Sequence, residues 1–285
     1  MFDPRKINRF PGIIGGAGLV VPTWPVELDK TSPLAASMGY YGLGSAAGDV
    51  PWTNFVDLRK PITLSGLSSK NSPLGPATNF TSSSYANFGS YVPMQTSIAG
   101  GAGDFTMGVF GNPPAGCGES HALQQRSITG PENQAGLIFG ISYVGSGLSG
   151  AAAIGIYAGT SFGASSAAGV TDGQFHWWIG TRINGVYAIY KDSVNITYSS
   201  ANSSASPFNG NSAFNVNTLG PNNLGILGAA MICPVTFVAN TGWTATQISA
   251  FISAPFAMLR PIIRRQYYGA ASLLTYAPSW QLDLT

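Results

Sequence analysis

Charged residues are scarce in this chain of 285 residues. They make up 8% of the sequence, with 13 Lys and Arg against 11 Asp and Glu and a net charge of +2, whereas a typical soluble protein has about 25%. Proteins that bind nucleic acid by neutralising phosphates need clustered basic residues, so we predict no nucleic-acid partner. A low net charge also gives little protection against association, which predicts a homo-oligomer or a larger assembly.

Cysteines and long apolar runs are also few. Two cysteines, Cys117 and Cys233, are too few for a disulfide framework; the sequence favours free thiols and leaves a single bridge open. The apolar stretch over residues 13–21 contains glycines and has no A-x-A-like cleavage site after it, so it does not predict secretion. The run over residues 224–239 contains Pro234 and is shorter than the roughly 20 residues that a membrane helix needs. We therefore predict no membrane partner.

The residues that are abundant indicate an all-β protein. Hydrophobic residues make up 45% of the chain, and glycine occupies 37 positions; so much glycine argues against long helices. Apolar runs over residues 105–110 and 137–144 predict strands. Two further runs, over residues 175–181 and 186–190, flank Asn184-Gly185, which is a strong signal for a two-residue hairpin turn.

One helix is predicted near the end of the chain. Thr244 and Gln247 have the spacing of a capping box, in which each side chain bonds the backbone N–H of the other residue. Trp243 and Ile248 occupy the two positions of a hydrophobic staple around this cap, and Pro255 ends the helix. The sequence therefore predicts a short C-terminal helix in a β background.

The predicted hairpin and helix together resemble the laminin-G-like (concanavalin A-like) jelly-roll domains found in bacteriophage virion proteins. Residues 175–181, Asn184-Gly185 and residues 190–193 follow the hairpin pattern of that family, and residues 243–256 follow its terminal helix. The chain departs from the hairpin pattern at Phe175, Trp177 and Ser193. The resemblance implies an antiparallel two-sheet jelly-roll sandwich with one short C-terminal helix and extended terminal arms.

Three regions are predicted along the chain. Residues 1–25 form an N-terminal arm, residues 26–265 form the jelly-roll, and residues 266–285 form a C-terminal tail. The resemblance is firmest over residues 170–265, and residues 26–75 have little periodicity. No repeat occurs at a fixed period.

The sequence shows no catalytic constellation. The E-x-D-x-E-like pattern of the glucanases in this superfamily is absent, although glycosidases generally need two carboxylates at the scissile bond. The two histidines are His121 and His176, and the latter is interpreted as a packed strand residue. We therefore predict no catalytic residue, no cofactor and no enzyme activity.

Calcium is common in the wider family that the chain resembles. Asp104, Asp172 and Asp192 are weak candidates for calcium ligands, on position alone. The spacing of Cys117, Glu119 and His121 would suit a zinc cluster, but a polar loop with an ordinary histidine is the favoured interpretation, so no other metal is expected.

Two further groups of residues are candidates for contacts with partners. Apolar residues accompany the basic residues near both ends of the chain, which indicates assembly contacts through Phe2, Arg5, Lys6, Arg9, Phe10, Arg260, Arg264, Arg265, Tyr267 and Tyr268. Aromatic residues in loop-like segments are candidates for stacking on a surface glycan, namely Trp24, Trp52 and Tyr85.

The leading functional prediction is a structural protein of a bacteriophage virion. It would be a capsid decoration or cement protein that contacts other virion proteins such as the major capsid protein, and it would be assembled in the host cytoplasm. The alternative is a carbohydrate-binding module on a phage tail or capsid for attachment to the host surface. The sequence does not decide between a capsid and a tail location, nor does it identify a glycan.

Overall fold

The computed structural model describes residues 26–43, 53–57, 63–65, 68–81, 85–87, 104–115, 120–126, 136–141, 151–157, 163–200, 216–219 and 231–261. The predicted N-terminal arm and C-terminal tail lie outside these ranges, as does Cys117. Within them the chain is mostly antiparallel strand, which confirms the predicted all-β class.

The strands of the described residues are short and follow one another closely. In chain order they are β1 (Val26–Leu28), β2 (Met38–Leu43), β3 (Thr53–Asn54), β4 (Thr63–Ser65), β5 (Ser68–Ser72), β6 (Gly75–Phe80), β7 (Tyr85–Asn87), β8 (Phe105–Gly111), β9 (Ser120–Arg126), β10 (Gly136–Ile141), β11 (Ala152–Tyr157), β12 (Ala164–Ser166), β13 (His176–Ile183), β14 (Val186–Lys191), β15 (Val194–Asn195), β16 (Thr197–Ser200), β17 (Val216–Leu219), β18 (Met231–Cys233), β19 (Val235–Ala239) and β20 (Leu259–Pro261). The helices are α1 (Pro33–Ala36) and α2 (Ala245–Ser253).

Two large sheets contain most of these strands. A seven-stranded sheet has the order β15-β14-β13-β8-β19-β2-β3, and an eight-stranded sheet has the order β16-β12-β11-β10-β9-β17-β7-β4. A three-stranded sheet, β18-β6-β5, and the β1–β20 pair complete the architecture. Strand neighbours in the large sheets are often far apart in sequence, so the sheets hold distant parts of the chain together.

The β13–β14 hairpin forms as the sequence predicts. Asn184 and Gly185 have φ values of 50° and 82°, which is the left-handed conformation that a type I′ turn requires at both central positions. The turn pairs Ile183 with Val186, and the ladder continues without a shift to Trp178 opposite Lys191.

One face of the seven-stranded sheet packs against α2. Trp177 of β13 and Phe237 of β19 lie on this face, and both contact Phe251 of the helix at ring-centroid distances of 5.0 Å and 4.7 Å. Trp243, just before the helix, stacks on Phe237 at 5.0 Å. All four side chains are buried, so this aromatic cluster is the main apolar contact between helix and sheet.

The opposite face of the same sheet packs against the eight-stranded sheet. A Cβ atom on Gly180 of β13 would lie 2.9 Å and 3.0 Å from Cβ and Cγ1 of Ile154 on β11, and closer still to its Cδ1. Gly163 approaches the ring of Tyr187 on β14 in a similar way. Because small residues allow such close approach, glycines set the spacing of the two sheets here. The Gly/Ala-rich strand β11 is therefore packed against the other large sheet at this point.

The predicted capping box is present at the start of α2. The Thr244 side chain accepts a hydrogen bond from Gln247 N, and Gln247 accepts one from Thr244 N. The four-residue helix α1 was not predicted, because four residues are too few to show a helical period. It begins with Pro33, whose fixed φ suits the first turn of a helix.

The β1–β20 pair joins the two ends of the described chain. Val26 lies opposite Pro261, and Glu27 lies opposite Arg260. The Arg260 guanidinium contacts Glu27 Oε1 at 2.8 Å and Asp29 Oδ1 at 3.5 Å. Residues 1–25 and 262–285 are therefore attached to the fold at neighbouring positions. No helix among the described residues has the length and hydropathy to cross a membrane.

Replacing Gly180 with alanine tests the close contact between the sheets. We expect Gly180→Ala to lower the free energy of unfolding by about 1–3 kcal/mol, because the added methyl group overlaps Ile154. Chemical denaturation of the variant measures this loss. Adding Ile154→Val removes the nearest atom, so the double variant should lose less than the sum of the two single losses. Additive losses would contradict the assigned contact.

Candidate functional site

Most of the residues predicted to contact partners lie outside the described ranges. Among the assembly candidates, Arg260 is described, and its guanidinium forms ion pairs with Glu27 and Asp29 of the same chain. Of the stacking candidates, Trp24 and Trp52 lie outside the described residues. The backbone of Tyr85 belongs to β7, but its side chain is not described. These assignments remain predictions.

Two of the three calcium candidates lie close together. Asp172 and Asp192 flank His176, at 3.0 Å from Oδ2 of Asp172 to Nε2 and 2.8 Å from Oδ2 of Asp192 to Nδ1. Asp104 lies elsewhere, with its Oδ1 at 4.0 Å from Nη1 of the buried Arg182. Two of the residues that the sequence predicts as candidate calcium ligands, Asp172 and Asp192, therefore belong to one polar cluster.

Asp192 lies at the open end of the β13–β14 hairpin, where it forms hydrogen bonds that join the two strands. It follows β14 at the turn into β15 and has a φ of 55°, a conformation in which Asp and Asn are enriched. Its backbone N–H donates to Trp177 O at 2.7 Å, and its Oδ1 accepts from Trp177 N at 3.0 Å. Oδ2 is thereby directed to the neighbouring His176.

Asp172 is held by three donors. Its Oδ1 accepts from Gln174 N at 2.9 Å, and its Oδ2 accepts from Lys191 Nζ at 2.8 Å and from His176. Partial burial by itself raises the pKa of Asp172, but the hydrogen bonds from Lys191, Gln174 and His176 outweigh it and hold the pKa well below its ordinary value. Lys191 Nζ also donates to Val170 O at 3.0 Å, so the ammonium group that bonds the Asp172 carboxylate is itself held in place.

His176 connects the two carboxylates through both ring nitrogens. Ionised carboxylates only accept hydrogen bonds, and a neutral imidazole has a single N–H. Both short contacts therefore carry a hydrogen when the ring is an imidazolium. In either form no ring nitrogen is left for a substrate, so the ring acts as a connector between the carboxylates.

The cluster is a poor fit for calcium. Calcium takes six to eight oxygen ligands, whereas here Lys191 and the His176 ring occupy the space between the two carboxylates. The described residues contain no group of three His, Cys, Asp or Glu side chains arranged to hold a metal ion. The positive charge beside Asp172 thus comes from the chain itself.

The carboxylates are the outward-facing part of this cluster. The side chains of Asp172 and Asp192 are each 45% exposed, against 19% for His176 and 21% for Lys191. The chain then runs through β15 to β16, where Tyr198 is 73% exposed. The edge site is defined as Asp172, His176, Lys191, Asp192 and Tyr198. The name refers to β15, which follows Asp192, and to β16, which contains Tyr198; they are edge strands of the two large sheets.

Tyr198 lies six residues after Asp192, on the strand that follows β15. Ile196 N donates to Ile189 O at 2.8 Å, and Thr197 Oγ1 accepts from Ile189 N at 2.9 Å. Ile189 is three residues along the strand from Asp192, which corresponds to about 10 Å. The strand that carries the exposed Tyr198 ring is thus hydrogen-bonded to β14, and Asp192 lies directly after the end of β14.

Sequence reasoning missed His176 and Tyr198. His176 was interpreted as a packed strand histidine because two tryptophans adjoin it. The turn at Asn184-Gly185 could have revealed the cluster, since its register places Asp192 opposite Trp177, one residue from His176. No pattern in the sequence marks Tyr198 as exposed.

Comparisons with known proteins identify similar folds and no family. No family model and no curated protein matches the sequence. Trypanosoma rangeli sialidase has a TM-score of 0.52 at 12% identity, over 81% of this chain and 36% of the sialidase. Domain 4 of a GH43 extracellular arabinanase from Geobacillus stearothermophilus, solved with arabinotriose, has a TM-score of 0.51 at 12% identity, over 75% of this chain and 98% of that domain. A receptor binding domain has a TM-score of 0.51 at 9% identity, over 78% of this chain and 53% of that one.

These likenesses support the resemblance at the level of fold alone. This chain spans little more than a third of the sialidase, so the activity of that whole enzyme is not transferred to it. The prediction excluded enzyme activity, and that exclusion is wrong. Sialidases are among the proteins with a similar fold. Missing catalytic motifs were insufficient grounds for the exclusion, since the fold occurs in chains that include enzymes. At 12% identity, enzyme status is not established either.

Removing the Asp172 carboxylate tests the cluster through its pH dependence. The pKa of Asp172 is lowered from 3.8 on folding, so its contribution to stability is present above that value and is lost as the pH falls below it. We expect Asp172→Asn to lower the free energy of unfolding at pH 7 by about 1 kcal/mol or less, because the side chain is half exposed. The loss should shrink below pH 4, as measured by denaturation across pH.

Lys191→Met provides the matched background for this experiment. Without the ammonium group, Asp172→Asn should cost less at pH 7, because one of the three donors to the carboxylate is gone. The carboxylate would not act through these contacts if Asp172→Asn lowered the free energy of unfolding equally at pH 7 and below pH 4. The same conclusion would follow if Lys191→Met left that loss unchanged.

Proposed function

We propose that this chain is a concanavalin A-like jelly-roll domain that binds a glycan at the edge site. The observations that carry the proposal are the exposed Tyr198 ring, six residues after Asp192 in the sequence, and the half-exposed carboxylates of Asp172 and Asp192. Binding sites combine an apolar contact surface with a few fixed polar groups, and this edge offers both.

The chemistry of sugars matches these groups. The apolar face of a pyranose or furanose ring packs on an aromatic ring, and its hydroxyls donate hydrogen bonds to carboxylates. The carboxylates are already held by Lys191, His176 and backbone N–H groups, so binding a sugar would require little further ordering. The fold likeness to an arabinanase domain solved with arabinotriose supports the same class of ligand.

Removing the Tyr198 ring is the direct test of this proposal. We expect Tyr198→Ala to weaken glycan binding at least about tenfold, equivalent to about 1.4 kcal/mol, because the stacking surface is lost. A glycan array first identifies ligands, and calorimetry with arabinotriose and the strongest array ligand then measures affinity. Lys70→Ala on the exposed strand β5 is the control and should leave affinity unchanged. Wild-type protein that binds no glycan would refute the proposal.

A second proposal is a structural role in a bacteriophage virion, as a decoration protein bound to other virion proteins. The observation that favours it is the β1–β20 pair, which starts the two basic terminal segments at neighbouring positions, Val26 and Pro261. Those segments carry basic and apolar residues side by side, as assembly contacts do. Glycan binding and attachment to a particle are compatible roles for one domain.

Light scattering tests the terminal segments. We expect the full chain to be an oligomer and a chain lacking residues 1–12 and 266–285 to be a folded monomer, because the removed residues supply the subunit contacts. Circular dichroism checks that the shortened chain keeps its strand content. A full chain that is monomeric, and stays so after truncation, would contradict the assembly role and leave the glycan proposal untouched.

A further inference from the structure

The edge site has a marked imbalance between acceptors and donors. A carboxylate has about four lone-pair positions; Asp172 uses three of them, for Gln174 N, Lys191 Nζ and His176 Nε2. Asp192 uses two, for Trp177 N and His176 Nδ1. Among the described residues, about three acceptor positions therefore remain when His176 is an imidazolium and about four when it is neutral.

Few donors remain to balance them. Lys191 Nζ has three hydrogens and uses two, on Asp172 and on Val170 O. Both nitrogens of His176 face carboxylates. Among the described side chains of the edge site, one hydrogen of Lys191 and the Tyr198 hydroxyl remain as donors, so the remaining capacity is mostly acceptor, and the most exposed charged side chains are negative.

A neighbouring buried hydroxyl also has no partner among the described residues. Thr171, directly before Asp172, is 5% exposed, and its Oγ1 has no hydrogen-bond partner among the described residues. A buried hydroxyl without a partner costs about 1–3 kcal/mol. The loop beside the carboxylates therefore still has hydrogen-bonding capacity that no described protein group fills.

We infer that the edge site selects neutral glycans that donate hydroxyl hydrogens and discriminates against glycans that carry a carboxylate. This inference rests on the proposed function and specifies its ligand class. A hydroxyl donates to Asp172 or Asp192 at no cost in charge, whereas a sugar carboxylate brings a third negative group to acceptors that have no hydrogen to share. The ion pairs are turned inward, so they do not offer a binding site for an anion.

A matched pair of probes tests this inference. Lactose and 3′-sialyllactose differ by one carboxylated sugar, and arabinotriose is a second neutral probe. We expect wild-type protein to bind at least one neutral probe, and to bind 3′-sialyllactose at least tenfold more weakly than lactose. Raising NaCl from 50 to 500 mM should reduce the ratio of the two affinities, because the Debye length shortens and repulsion between exposed charges farther apart than that length is screened.

Two variants separate charge discrimination from binding in general. Asp192→Asn keeps an oxygen for Trp177 N and tolerates the left-handed φ. It should reduce the ratio of lactose affinity to 3′-sialyllactose affinity at least threefold. Tyr198→Ala should weaken binding of both probes and leave the ratio unchanged. Equal or tighter binding of 3′-sialyllactose by the wild type would overturn the inference alone. Failure to bind any glycan would overturn the proposed function and this inference with it.

Discussion

The two-residue turn at Asn184-Gly185 fixes the register on which the rest of the molecule depends. Because side chains alternate between the faces of a strand, a slip of one residue in β13–β14 would exchange the two faces. The observed register directs Trp177 to the helix α2 and brings Gly180 against Ile154 of the other large sheet. It also places Asp192 where its backbone and carboxylate both bond Trp177. Two core interfaces and the polar cluster thus have a common geometric origin.

Local sequence signals predicted those parts of the fold that depend on local chemistry. The turn residues, the capping box of Thr244 and Gln247, and the apolar strand over residues 105–110 all appear as predicted. The order of strands in the sheets was beyond such signals, because β8 lies between β13 and β19, which are distant in the chain. Such neighbours are selected by packing over the whole core, to which no short motif corresponds.

The candidate site was predictable in part, for the same reason. The sequence predicts Asp172 and Asp192 only as weak candidates for calcium ligands, because it does not show the cations that lie beside them. Lys191 reaches Asp172 by folding back across the ring of Trp178, at 5.3 Å from its centroid, a contact that depends on three segments meeting. The position of His176 follows from the hairpin register alone. The exposure of Tyr198 depends on the crossing from β15 to β16 between sheets, which sequence does not show.

Scarcity of charge gives the cluster its significance. With 24 charged residues in 285, a chain of this composition can fold and pack with few ion pairs, yet Asp172, Lys191 and Asp192 lie together around one histidine. Exposed ion pairs contribute little to stability, so stability alone is a weak reason to collect them at a sheet edge. Holding two carboxylates rigid with inward-facing donors does have a clear consequence for recognition. The acceptors are fixed before a ligand arrives, and a ligand that supplies hydrogens gains their bonds without ordering them.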